Sequence, residues 1–305
     1  MAAQFLSIKF HELGTIFMEN LVRLMVAAGA ATALSACGGG GGGGTGAIPF
    51  TSNSALPTNG TVVVNGSAVT ARYSVSPTTG DATISSVSGP NSASATTTFV
   101  GGDRQTIDIR APGASVTLND VTDGSFGLPG ARVGVVSSDL DGGAIFENVA
   151  GYEYQTYGIW FTGVSSTSGV VGAGSFGAPT QASSMPIGNA VYNGTGVGFA
   201  RDSAGRGYYT DFDVTADTNF TTINVSSSNT FTEDIDSGVV APKSDFDFSG
   251  SGSVSGANFT ASITSTATSG TATGSFYGPS AEEFGGTFET TGTGGAIHIG
   301  SFGGQ

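Results

Sequence analysis

Tyr208-Tyr209-Thr210-Asp211-Phe212-Asp213-Val214, then Phe220-Thr221-Thr222-Ile223-Asn224-Val225, sets large apolar residues against polar ones at every second position. A period of two marks a β-strand with one dry and one wet face. The same reading extends outward in both directions. Upstream, Val62 and Val64, Ile107 and Ile109, and Val116 and Leu118 alternate with polar neighbours. Downstream come Asp245-Phe246-Asp247-Phe248, Phe259-Thr260-Ala261-Ser262-Ile263, Thr271 to Tyr277, Phe284 to Glu289 and Ala296 to Phe302. Tyr152-Glu153-Tyr154-Gln155-Thr156-Tyr157-Gly158-Ile159-Trp160-Phe161 reads as a long first strand of this second half. No stretch from 61 to 305 repeats apolar residues at helical spacing over three turns, so the chain is all-β. Short strands this regularly spaced predict an eight-stranded antiparallel β-barrel over 151–305, because closure removes exposed edges.

The turns are written in Gly, Asn and Pro. Asn65-Gly66 and Gly101-Gly102-Asp103 read as hairpin turns, since these residues tolerate positive φ. Gly-Ser-Phe recurs at 124–126, 174–176, 274–276 and 300–302, at irregular spacing, and reads as a strand-end device with Phe plugging an interior.

The amino-terminal region is of another kind. Arg23 precedes an uncharged Ala-, Leu- and Val-rich run from Leu24 to Ala36, too short to span a bilayer but suited to a secretory signal. Leu34-Ser35-Ala36-Cys37 resembles the lipobox of bacterial lipoproteins. That resemblance implies an acylated Cys37 as first mature residue after a signal peptide, 1–36. Met18 opens a tidier signal than Met1, so translation is expected to start there. Residues 37–60, with seven glycines at 38–44, form a flexible tether with a reach of roughly 25 Å.

The chain carries 9 Lys and Arg against 23 Asp and Glu, a net charge of −14, and has no basic cluster. Such a chain repels phosphate backbones, which argues against nucleic-acid partners. Cys37 is the single cysteine, so a lipid there leaves no thiol for disulfides, metal sites or nucleophiles.

Candidate chemistry is sparse. His298, the one histidine beyond the signal, lies between Ile297 and Ile299; alternation puts it opposite the isoleucines, predicting a solvent-facing side chain rather than a haem or metal ligand. Asp211 with Asp213, and Asp245 with Asp247, share strand faces opposite Phe, the look of a wet outer face rather than a calcium or glycosidase site. Glu233-Asp234-Ile235-Asp236 reads as a solvated acidic loop, with a weak cation site as the alternative. Without a nucleophile elbow or a cysteine, enzymatic activity is not expected, and no catalytic residue, metal or cofactor is assigned. The best binding candidate is the polar hairpin tip 201–207 together with the two tyrosines after it. It offers Arg201, Arg206, Tyr208 and Tyr209, residue types enriched at hot spots.

One stretch carries a family resemblance. Gly274-Ser275-Phe276-Tyr277-Gly278-Pro279-Ser280-Ala281-Glu282-Glu283-Phe284-Gly285-Gly286-Thr287-Phe288 resembles the final hairpin of the β-barrel of transferrin-binding protein B and its relatives, Gram-negative surface lipoproteins. Ser184-Met185-Pro186 with Gly188, Ala190, Tyr192 and Gly194 is similar to the family's early barrel strand, and Gly300-Ser301-Phe302-Gly303-Gly304 to its closing strand. Within the motif, Pro279 stops the ladder, Ala281-Glu282-Glu283 turns the chain outward, and Gly285-Gly286 permits re-entry. The resemblance implies a handle at 61–150 preceding the barrel. It also implies an outer-membrane, lipid-anchored surface protein that captures a host or environmental iron or haem protein beside a transporter. The alternative is a structural or adhesive envelope lipoprotein without a dedicated ligand.

Overall fold

The fold is a computed structural model that describes residues 47–76, 82–119, 123–128, 132–137, 141–147, 152–163, 166 and 168–305. The expected signal peptide, Cys37 and the glycine run lie outside the described residues. Among the described residues no helix is long and apolar enough to cross a membrane.

Two antiparallel sheets succeed one another along the chain. The first contains β1 (Ile48–Pro49), β2 (Gly60–Val75), β3 (Ala82–Val100), β4 (Asp103–Arg110) and β5 (Val116–Asn119). It continues with β6 (Gly124–Leu128), β7 (Arg132–Val136), β8 (Gly142–Glu147), β9 (Gln155–Thr162) and β10 (Ser168–Gly177). Strand order is β5-β4-β3-β2-β10-β9-β8-β7-β6, with short β1 parallel to β2. The sheet curls so that Ile109, Val116 and Leu118 pack on Trp160 and Phe176, and the Trp160 indole N–H donates to the Ala114 carbonyl at 3.1 Å.

The second sheet is a closed barrel. Its strands are β11 (Ala190–Arg201), β12 (Gly207–Thr218), β13 (Thr222–Asp234), β15 (Ser249–Ser255), β16 (Asn258–Thr264), β17 (Ser269–Tyr277), β18 (Glu283–Thr291) and β19 (Ile297–Gly304), with β14 (Val240–Pro242) a short flap on β13. Each pairs with the next, and β19 returns to β11. The eight-stranded antiparallel barrel is therefore present, but it begins at Ala190, not at 151. β9 and β10 alternate as barrel strands would, yet they complete the first sheet by pairing with β8 and β2. Alternation gives a strand its faces and leaves its sheet undecided.

The barrel interior is aromatic: Phe212, Phe248, Phe259, Phe276, Phe284, Phe288 and Phe302 pack in one cluster with Ile223, Val225 and Ile263. The Gly-Ser-Phe device behaves as expected where side chains are described. Phe176 fills the first sheet's core and Phe276 and Phe302 the barrel's, all at 0% exposure. Gly101 and Gly102 do make the β3–β4 turn, with φ of +65° and +92°. Asn65-Gly66 does not turn: it lies inside β2, where a side chain on Gly66 would strike the Ser175–Phe176 backbone. Its glycine serves close approach rather than reversal.

The two sheets meet along β11, β19 and β18. Val197, Phe199, Ile297 and Ile299 project outward from the barrel onto Val69, Ile84, Ile159 and Val171, each fully buried side chain contributing roughly 1.5–3 kcal/mol. A polar seam continues the contact. Tyr152 Oη donates to the Gly303 carbonyl at 2.9 Å, Ser301 Oγ to Gly158 at 2.7 Å, and Gln155 Nε2 to Phe284 at 2.6 Å. Buried Glu283 accepts the backbone N–H groups of Glu153 and Tyr154 at 2.5 and 3.1 Å.

Candidate functional site

The hairpin tip singled out in the sequence closes one end of the barrel, beside the β13–β14 flap. It is organised around Asp202, only 8% exposed. Oδ1 accepts the N–H groups of Ala204 and Arg206, both at 3.0 Å, fixing the turn locally. Oδ2 accepts Arg206 Nε at 3.2 Å, Tyr208 Oη at 2.8 Å and Lys243 Nζ at 3.4 Å. Burial alone would raise this carboxyl's pKa. The Tyr208 hydroxyl, the Arg206 N–H and the charges of Arg206 and Lys243 outweigh it and hold the pKa at about 2. Tyr208 in turn is pushed far above its ordinary value by burial and by its bond to the anion.

Nothing in the sequence singles out Lys243. It sits 41 positions from Asp202, and its ammonium lies 4.8 Å from the Tyr208 ring and 5.8 Å from Phe246. No spacing rule links them; only barrel closure does. The four predicted residues divide accordingly. Arg206 is exposed at the rim. Tyr208 is buried in the mouth, so it shapes the site without offering a free surface. Arg201 donates from Nη1 to the Gly295 carbonyl at 3.2 Å, and Tyr209, opposite Glu233, packs partly buried against the apolar core between the two sheets.

Below this cluster lies His298, a correction to the expectation of solvent exposure. It does alternate with the isoleucines, but the isoleucine face meets the first sheet, and His298 therefore points into the barrel at 1% exposure. Phe288 stands edge-on at 4.7 Å and Phe246 at 5.1 Å, and Nε2 shares a 3.0 Å hydrogen bond with Thr210 Oγ1. Burial drives its pKa down to about 3, so the ring is neutral at physiological pH. It is a packed polar core residue.

The acidic pairs also separate. Asp213 faces outward and accepts Asn229 Nδ2 at 2.7 Å. Asp245 and Phe246 lie in a 3-10 turn (Ser244–Phe246), not a strand, and Asp247 accepts the Thr230 N–H at 3.0 Å. In the 233–236 stretch, Asp234 caps its own turn through Ser237, and Asp236 accepts the Ala82 N–H at 3.0 Å. Glu233 is buried, with Oε2 lacking any partner, and burial raises its pKa to about 7. Among the described residues no group of His, Cys, Asp and Glu is arranged to hold a metal.

Residues 185–305 match the family model for the C-lobe and N-lobe β-barrels of transferrin-binding protein B. This segment is a barrel of the transferrin-binding protein B family. No curated protein matches the chain by sequence. Among solved structures, the haemoglobin receptor HpuA of Kingella denitrificans overlays with a TM-score of 0.40 at 15% identity, covering 84% of this chain and 89% of that one. Transferrin-binding protein B of Haemophilus parasuis gives 0.38 at 13%, covering 82% and 76%. The isotype 1 protein of serogroup B Neisseria meningitidis gives 0.39 at 9%, covering 81% and 77%. The sequence match covers the barrel alone, residues 185–305.

In this transferrin-binding protein B barrel the family motif proves to be a docking device. Residues 278–282 turn the β17–β18 hairpin, with left-handed φ at Gly278 (+88°) and Ala281 (+60°), and Tyr192 Oη donates to the Ala281 carbonyl at 2.5 Å. Glu282 accepts the Ser280 N–H at 2.8 Å, whereas Glu283 already belongs to β18. Gly285 and Gly286 sit inside that strand rather than at a re-entry. A side chain on Gly285 would collide with Gln155 Oε1, and one on Gly286 would meet the Phe302 ring at 3.0 Å. Tyr277, 3% exposed, shares a 3.1 Å hydrogen bond with Ser175 of the first sheet. Gly274 leaves room for the Phe259 ring, and the motif's Phe276 plugs the core beneath it.

Proposed function

We propose that this chain is a lipid-anchored, non-enzymatic binding protein of the outer-membrane surface that captures an iron- or haem-carrying protein. The observation that carries this is the match of residues 185–305 to the transferrin-binding protein B barrels. The HpuA relative has been seen in complex with human haemoglobin, and other relatives are named for transferrin. Acylation at Cys37 tethers the protein, and the glycine run holds it off the bilayer. The rigid barrel presents its end loops, where Arg206 stands exposed on a braced turn with Lys243 behind it. A transporter in the same membrane would receive the cargo.

The test is retention by the chain from residue 45 onward, immobilised and offered human transferrin, human haemoglobin and free haem. Saturable retention of one of them supports the reading. Retention of none by a folded barrel overturns it in favour of a structural envelope protein.

A further inference from the structure

The outer wall of the barrel departs from its own alternation at one place. Along β13, Ile223, Val225 and Ser227 point inward, and a strict period of two would send Asn229, Phe231 and Glu233 after them. Instead the β12–β13 ladder shifts between Asp211 and Asp213, so that Asn229 and Thr230 together oppose Phe212. Asn229 adopts a left-handed φ of +55°, and its side chain is tied to Asp213. This is a β-bulge, a device that re-aims side chains. Its effect is to turn Thr230 and Thr232 into the barrel and Phe231 out to solvent, 49% exposed.

Phe231 does not stand alone. Directly opposite it on β14 is Pro242, and Val240 (49% exposed) and Val239 (61%) lie on the same flap. On its other side, directly opposite on β12, is Asp211, with Asp213 next along that wall. Arg206 and Lys243 are turned to Asp202 in the mouth. An apolar centre with a carboxylate rim is thus built onto a rigid three-stranded corner.

From this we infer that the β12–β13–β14 corner docks a basic protein segment that presents an aliphatic or aromatic side chain between its lysines or arginines. The apolar centre supplies the contact and the carboxylates select the sign of the partner's charge. This deepens the binding reading above and rests on it, by naming the chemistry of the partner at a surface beside the mouth.

The experiment uses the chain from residue 45 onward, its Phe231→Ser and Val240→Ser variants, and three short synthetic peptides. These alternate Lys with Leu, Lys with Ser, and Glu with Leu. Both substitutions are at exposed positions, and circular dichroism with thermal melting confirms that each variant is folded. The expected result is binding of the Lys/Leu peptide alone, weakened at least about tenfold by Phe231→Ser and several-fold by Val240→Ser. Equal binding of Lys/Leu and Lys/Ser peptides overturns the inference, because charge alone then suffices. So does unchanged binding by Phe231→Ser, or a Phe231-dependent dimer in sedimentation, which would make a second copy the occupant. Transferrin and haemoglobin are offered in parallel. If neither is retained while the Lys/Leu peptide binds through Phe231, the iron-protein reading fails and the corner stands. If one is retained equally by the wild-type chain and Phe231→Ser and the Lys/Leu peptide is not bound, the corner fails and the iron-protein reading stands.

Discussion

The same barrel wears two opposite outer faces. On β11 and β19 the outward positions include Val197, Phe199, Ile297 and Ile299, all buried against the first sheet. On β13 before its bulge, on β15 and β16, and on β17 before Phe276 they are Thr222, Asn224, Ser226 and Ser228; Ser249, Ser251, Ser253 and Ser255; Asn258, Thr260, Ser262 and Thr264; and Ser269, Thr271, Thr273 and Ser275. Every position on that second face is Ser, Thr or Asn, with no charge and no apolar side chain, on a chain of net charge −14. The cross-strand pairs there, such as Ser251 with Ser262 and Thr260 with Thr273, are hydroxyl against hydroxyl. The backbone is identical in kind on both faces. What differs is whether a neighbouring sheet replaces water, and that decides which substitutions the barrel tolerates.

Five substitutions test this contrast. The largest effect is expected inside the barrel. His298→Ala empties space among Phe212, Phe246 and Phe288, and thermal or urea unfolding should show a loss of about 2–4 kcal/mol. A solvent-facing histidine would show almost none. Next comes the docked face. A carbon added at Gly303 would lie 2.7 Å from the Tyr157 ring and 2.9 Å from Gln155, so Gly303→Val should destabilise by about 1–3 kcal/mol. Ser253→Val on the hydroxyl face should stay within about 0.5 kcal/mol, and equal losses at both sites would erase the distinction.

Third, Tyr208→Phe removes a donor from the Asp202 carboxylate, at a cost of about 1–2 kcal/mol near neutral pH. Because Asp202 is held down at about 2 in the fold, its stabilisation is present above its ordinary value of 3.8 and is lost as pH falls through about 2. The variant's deficit should therefore shrink in acid titrations over that window. The smallest effect concerns Glu233. Its raised value of about 7 means the protonated fold is favoured below 4.5 and that advantage disappears as pH rises from 4.5 through about 7. Glu233→Gln should raise the melting temperature at pH 8 and leave it unchanged at pH 4; a gain at both would point to packing instead of ionisation.

Much of this is legible in the residues. Alternation at 208–214 and 259–263 gives strands with the faces the fold shows, and the Gly-Ser-Phe runs at 174–176, 274–276 and 300–302 end in core phenylalanines. What alternation cannot carry is the identity of the medium outside a strand. That is why it places His298 in water, and why it places β9 in the barrel. Nor can it carry a one-residue bulge: the exposure of Phe231 depends on Asn229 taking φ > 0, which an Asn permits but does not announce. The Asp202 cluster is half visible, since Arg206 and Tyr208 are local to it. Lys243 reaches it only through the closed barrel, and Gly285 and Gly303 show their purpose only once Gln155 and Tyr157 lie against them.

The first sheet covers β11 and β19, while the hydroxyl face of the same barrel is exposed. Residues 45–305 contain no cysteine, so single cysteines placed at Ile299 and at Ser251 can be compared directly by thiol labelling of the native chain. Ser251→Cys should react at the rate of a free thiol, and Ile299→Cys only when the protein is unfolded. Equal labelling of both in a chain that still melts cooperatively would contradict it.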